Sequence, residues 1–86
     1  MPEDSEELAG RIREIIVERL FLEIEPDDIG EDDSLTDAYG VDSVRLFDMI
    51  VGLEEDFGVS FEDEELKLKN FDTVGAIAAR VAAKLE

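Results

Sequence analysis

The sequence predicts an all-α fold, a small bundle of three main helices and one short helix with a long first loop. Three observations predict it. Apolar residues recur at helical spacing in three separate stretches, capping and stop signals bound them, and the 86 residues hold no internal repeat, linker or low-complexity tract. Residues 1–86 therefore read as one domain. A chain of this size buries about 60–65% of the surface it exposes when unfolded, which leaves a small core and little room for a deep catalytic cleft.

The first helix is expected over about Ser5 to Phe21, where Leu8, Ile12, Ile15, Ile16 and Leu20 share one face. Asp4 and Glu7, three residues apart, form its expected capping box. The second runs from about Ser43 to Phe57. Leu46, Ile50, Leu53 and Phe57 make its stripe, Phe47 widens it, and Gly58 supplies the stop. The last helix carries Val74, Ile77, Ala78, Val81 and Leu85, with Asp72 as its expected N-cap and Phe71 as a staple before it. Between these two, Glu62-Asp63-Glu64-Glu65-Leu66 suits one short turn or helix anchored by Phe61 and Leu66. The segment from Leu22 to Asp42 lacks helical periodicity, but Ile24, Ile29, Leu35, Tyr39 and Val41 are spaced as apolar pegs that hold an ordered loop on the bundle.

Composition excludes most enzyme chemistry. With no His and no Cys the chain has no imidazole base, no thiolate nucleophile, no disulfide, and no nitrogen or sulfur ligand for zinc or haem. An EF-hand register started at Asp27 puts Asp32 where Gly is needed and Ala38 where Glu is needed, so the EF-hand pattern fails, and any loose divalent binding that relieves repulsion there is expected to be structural rather than sensory. No apolar run approaches the roughly 20 residues of a membrane span, and the acidic Met1-Pro2-Glu3-Asp4 is unlike a signal peptide. The chain reads as complete, cytoplasmic and monomeric.

The formal net charge is −17, which repels nucleic acid and favours basic protein partners. Its distribution is more informative. Leu20 to Leu66 hold seventeen acids and one base, Arg45, whereas the two ends together hold eight acids and seven bases. A solvated face is the plain explanation of an acidic stretch. Concentration around one candidate site gives it a second.

That site is Ser43, in Gly40-Val41-Asp42-Ser43-Val44 at the start of the second helix. A serine here either caps the helix or is an attachment point. Capping is the commoner role for the fragment alone. Phosphoester attachment suits the same place, because helix N-terminal amides and the helix dipole favour a phosphate and Gly40 allows close backbone approach.

The whole pattern resembles the acyl carrier protein family. The resemblance rests on the order of helices, the long loop, Leu35-Thr36-Asp37-Ala38-Tyr39-Gly40-Val41-Asp42-Ser43, the acidic run Leu53-Glu54-Glu55-Asp56-Phe57, and the Ala-rich last helix. It implies a non-catalytic carrier, one acyl-carrier-like domain, with 4′-phosphopantetheine transferred from coenzyme A to Ser43 by a magnesium-dependent phosphopantetheinyl transferase. The arm's thiol then holds acyl groups as thioesters for fatty-acid or specialised, polyketide-like biosynthesis. A chain without Cys must import such a thiol.

The resemblance also implies partner roles on the second helix. Asp42, Asp48, Glu54, Glu55 and Asp56 would meet basic patches on the transferase and on acyl-loading, synthase and reductase enzymes, and Val44 and Met49 would add apolar contacts. Leu35, Leu46, Ile50, Leu53, Phe61, Leu66 and Ile77 match an acyl pocket, and each is equally explained as core. Val44 stands where the family more often has Leu, and Arg45 where its fatty-acid carriers are acidic, so Arg45 is expected to select a different set of enzymes. Phe47 is bulkier than usual, and the segment from Asp63 to Val74, with Lys67 and Lys69, is about two residues longer. A peptidyl or aminoacyl carrier shares the same fold and serine, and an unmodified acidic helical adaptor, with Ser43 only a cap, is the reading from another class.

Overall fold

In the computed structural model of the chain, residues 5–85 are described. The expected Asp4–Glu7 box lies outside the described residues. Four α-helices follow in order: α1 at Ser5–Leu20, α2 at Leu35–Tyr39, α3 at Ser43–Phe57 and α4 at Val74–Leu85. Single 3-10 turns occupy Pro26–Asp28, Asp63–Glu65 and Leu68–Asn70, and the described residues contain no strand. The all-helical class is as the apolar spacing predicts.

The core is built on α1, which packs against both α3 and α4. Ile12, Ile16 and Leu20 from α1 meet Leu46, Met49 and Leu53 from α3 and Val74, Ile77 and Val81 from α4 in one buried cluster. Phe71 is fully buried beside Phe61, edge to face with ring centroids 5.2 Å apart. No polar or charged residue is buried among the described residues. The expected loop pegs do pack: Ile29, Leu35 and Val41 are buried, Ile24 and Tyr39 half-buried.

The loop between α1 and α3 holds more structure than its sequence suggests, and α2 is absent from the sequence expectation. Its five residues form because both ends are capped. Ser34 Oγ accepts the Asp37 N–H at 3.2 Å, and Gly40 closes the turn in the left-handed region at φ 65°. A third support comes from across the fold. Ser34 Oγ donates to the Asp72 carboxylate at 2.6 Å, the Thr36 N–H donates to it at 3.0 Å, and the Leu35 N–H donates to the Asp72 carbonyl at 2.7 Å.

Asp72 is therefore not the N-cap of α4. Thr73 fills that role, its Oγ1 accepting the Ala76 N–H at 3.0 Å, and Asp72 is left to hold α2. Two more bonds secure the loop: Arg13 Nε donates to the Ile29 carbonyl at 2.8 Å and the Gly75 N–H to the Glu31 carbonyl at 3.1 Å. The Glu62 to Leu66 segment makes the short turn anticipated for it, and a second turn follows at Leu68–Asn70.

Helix α1 stops one residue before Phe21, which takes the left-handed conformation at φ 55° that glycine usually supplies. The Leu22 N–H closes the end onto the Val17 carbonyl at 3.2 Å. The Phe21 ring is 81% exposed, so no burial offsets the backbone cost. Phe21→Gly should raise stability by about 1 kcal/mol, or roughly 4–8 °C in Tm. A thermal melt showing no rise would contradict the assigned strain.

Asp72 sets a second expectation. Burial pushes its carboxyl up, but the hydrogen bonds from Ser34, Thr36 and the Leu35 amide outweigh burial and hold it below the usual carboxylate range. The folded protein thus binds this proton more weakly than the unfolded chain. The associated stability is complete above the unfolded carboxylate pKa of about 4 and is lost as pH falls through the lower folded value. Asp72→Ala should lose about 1–3 kcal/mol at neutral pH. Denaturant titrations of the two proteins should converge as the pH drops below about 4.

Candidate functional site

The path into α3 is fixed residue by residue. Gly40 turns the chain, the buried Val41 pins it to the core, and the Val41 N–H donates to the Leu35 carbonyl at 3.3 Å. Asp42 follows in extended conformation and caps α3, its Oδ1 accepting the Arg45 N–H at 2.9 Å while its carbonyl accepts the Leu46 N–H at the same distance.

With Asp42 as the cap, Ser43 is the first residue inside the helix. Its side chain is exposed, and among the described residues its hydroxyl makes no hydrogen bond to protein. The capping role that competes with attachment belongs to its neighbour. One of the helix N-terminal amides anticipated for a phosphate, that of Arg45, is already occupied by Asp42.

Beside Ser43 lies a cleft of about 60 Å³ between α3 and the segment that follows Phe61. Ser43, Leu46, Phe47 and Ile50 form its α3 wall, and Leu66, Lys67 and Leu68 form the other. Of the expected pocket residues it brings together Leu46, Ile50 and Leu66. Leu35, Leu53 and Ile77 are fully buried in the core, Phe61 packs on Phe71, and none of these four lines the cleft. Phe47, Lys67 and Leu68 are the lining residues that the expected pocket omits.

The outward face of α3 also differs from expectation. Met49 is fully buried and has no surface to offer a partner. Val44, Phe47 and Val51, at helical spacing, are the exposed apolar residues of α3, at 75, 50 and 43%. Around them the acids are already engaged. Arg11 grips Asp56 with two bonds of 2.9 and 2.6 Å, Arg19 donates to Glu55 at 2.9 Å and lies 3.7 Å from Asp48, and Glu54 accepts the Phe61 N–H at 2.9 Å. Arg11 holds the Asp56 carboxyl below its ordinary range, chiefly through those hydrogen bonds. Asp42 is used in the cap. Arg45, exposed two residues after Ser43, forms no ion pair among the described residues.

Ser43 is thus an exposed serine at a capped helix start, reached by a pinned loop and beside a small cleft. Residues 10–81 match the family described as "Phosphopantetheine attachment site". Relatives named acyl carrier protein include that of Petrotoga mobilis, 40% identical over 62 residues, covering 72% of this chain and 71% of the relative. That of Renibacterium salmoninarum is 35% identical, covering 92% of this chain and 93% of its own. That of Thermotoga maritima is 32% identical, covering 93 and 94%.

The chain belongs to the acyl carrier protein family. Acyl carrier proteins are non-catalytic carriers of phosphopantetheine, and in this one an exposed serine lies at the edge of a cleft whose other wall includes Lys67. The family implies interaction with a phosphopantetheinyl transferase and with acyl-processing enzymes. Among the described residues no group of acids is arranged to hold a metal ion, and no helix is long and apolar enough to cross a membrane.

The division of labour between Asp42 and Ser43 is measurable in the unmodified carrier. Asp42→Ala should cost about 1 kcal/mol through loss of the cap, whereas Ser43→Ala should leave the unfolding free energy within about 0.5 kcal/mol of wild type. The reverse order in urea titrations would return the cap to Ser43.

Proposed function

We propose that Ser43 is the residue that carries 4′-phosphopantetheine, and that this carrier presents acyl groups to the enzymes of fatty-acid or specialised, polyketide-like synthesis. The observation that carries the reading is the Ser43 hydroxyl itself, exposed and released from capping by Asp42. In the transfer, Ser43 Oγ loses its proton and bonds to the pantetheine-side phosphorus of coenzyme A. The pyrophosphate P–O bond breaks, and adenosine 3′,5′-bisphosphate leaves. When attached, the group supplies the terminal thiol that a chain without Cys lacks.

The rest of the chain presents that site. Val44, Phe47 and Val51 form an apolar strip, with Asp48, Glu54 and Glu55 beside it, a surface suited to a partner with an apolar centre and a basic rim. Arg45 changes the charge next to the serine, so it favours enzymes with a carboxylate there and disfavours those with Arg or Lys. This charge argues for a dedicated acyl pathway. The net charge of −17 fits a monomeric cytoplasmic shuttle with fast, weak association and no nucleic-acid partner, and the 86 residues fit a single carrier domain.

Intact mass tests the assignment. Incubation with coenzyme A, magnesium and a broad-specificity phosphopantetheinyl transferase should add one phosphopantetheine to the wild type and none to Ser43→Ala. Folded wild type that gains nothing, while a control carrier is modified in the same tube, would defeat it.

A further inference from the structure

The cleft beside Ser43 has an unexpected charge. In a chain with 25 acids and 8 bases, its lining contains one charged residue, and that residue is Lys67. The other lining residues besides Ser43 are apolar. Lys67 is exposed, and no carboxylate lies within ion-pair distance of it among the described residues, whereas Arg11, Arg19, Arg80 and Lys84 all have acidic partners.

The backbone that carries Lys67 is braced. Its N–H donates to the Glu65 carbonyl at 2.8 Å, its carbonyl accepts the Asn70 N–H at 2.9 Å, and Asn70 Nδ2 donates to the Glu65 carbonyl at 2.9 Å. Glu65 is anchored in turn by Lys84 at 2.7 Å and Arg80 at 3.6 Å. None of these bonds uses the Lys67 ammonium. A rigid turn thus delivers an uncommitted cation to the cleft that Ser43 shares.

A phosphodiester formed on Ser43 adds a negative charge next to the Asp42 carboxylate, in the most acidic part of the chain. Like charges so placed repel unless a cation lies close, and a lysine ammonium is a mobile point charge suited to a phosphate oxygen. We infer that Lys67 is the counter-ion of the phosphodiester at Ser43 and draws the arm across the cleft towards Leu66 and Leu68. The inference rests on attachment at Ser43. It makes Lys67 a positioning residue for the arm.

Phosphorus NMR of the full-length protein carrying its arm, with loading confirmed by intact mass, tests the inference. At low ionic strength the wild-type phosphodiester resonance should be displaced and broadened, and should return towards the free-diester position as sodium chloride rises to about 0.5 M, where screening is short-ranged. Lys67→Gln should abolish both the displacement and its salt dependence, Lys67→Arg should keep them, and Lys69→Gln should leave them unchanged. Superimposable wild-type and Lys67→Gln spectra from fully loaded proteins would overturn the Lys67 assignment while leaving attachment intact. A folded wild type that takes up no arm would overturn the attachment and the counter-ion together.

Discussion

The placement of Ser43 depends on Asp72, whose side chain and carbonyl hold residues up to 38 positions earlier in the chain. Its carboxylate and carbonyl oxygens accept three bonds from Ser34, Leu35 and Thr36, which fasten the start of α2 to the start of α4. Everything downstream in the loop is then short and determined: five helical residues, a left-handed Gly40, a buried Val41, a capping Asp42 and the exposed serine. A free acidic loop of this length would present Ser43 in many places. The bonds that Asp72 accepts hold the loop that leads to Ser43.

Charge is the second organising constraint. Nearly all the net charge lies between Leu20 and Leu66, yet most of the bases lie outside that range. Folding brings the two together. Arg11 and Arg19 reach from α1 to Asp56, Glu55 and Asp48 on α3, and Arg80 and Lys84 reach from α4 to Glu65. Each pair is at least partly exposed, so each contributes modestly to stability, but together they spread the positive ends of the chain over its negative middle. Among the described residues Arg45 and Lys67, like Lys69, take no part in this exchange; Arg45 lies two residues after Ser43 and Lys67 across the cleft from it.

The three long helices were legible because each buries one stripe, and a stripe at helical spacing needs no knowledge of its partner. Helix α2 was not, because five residues carry too little periodicity and part of their support comes from Asp72, far along the chain. Adjacent Asp72 and Thr73 are both good N-caps, so local preference had no means of choosing Thr73. On α3, Leu46, Phe47, Met49, Ile50, Val51 and Leu53 are apolar on nearly every side. Which of them face outward was decided by how α1 packs, and Met49 went in while Val51 stayed out. Ser43 itself was singled out by its short motif and surroundings, and Asp42's capping of α3 leaves it exposed. The Arg11 and Arg19 clamps, and Lys67 opposite Ser43, join residues distant in sequence and leave no local signature.

The wholly apolar core has a mechanical consequence. With no buried polar or charged group among the described residues, the register between helices is held by the shape of packed apolar side chains rather than by buried hydrogen bonds. Between α3 and the segment beyond Phe61, the directional tie is the part-buried bond of the Phe61 N–H to Glu54, and the rest of the contact is dispersion. The directional bonds lie at the periphery, at caps and turns, around a close-packed apolar centre.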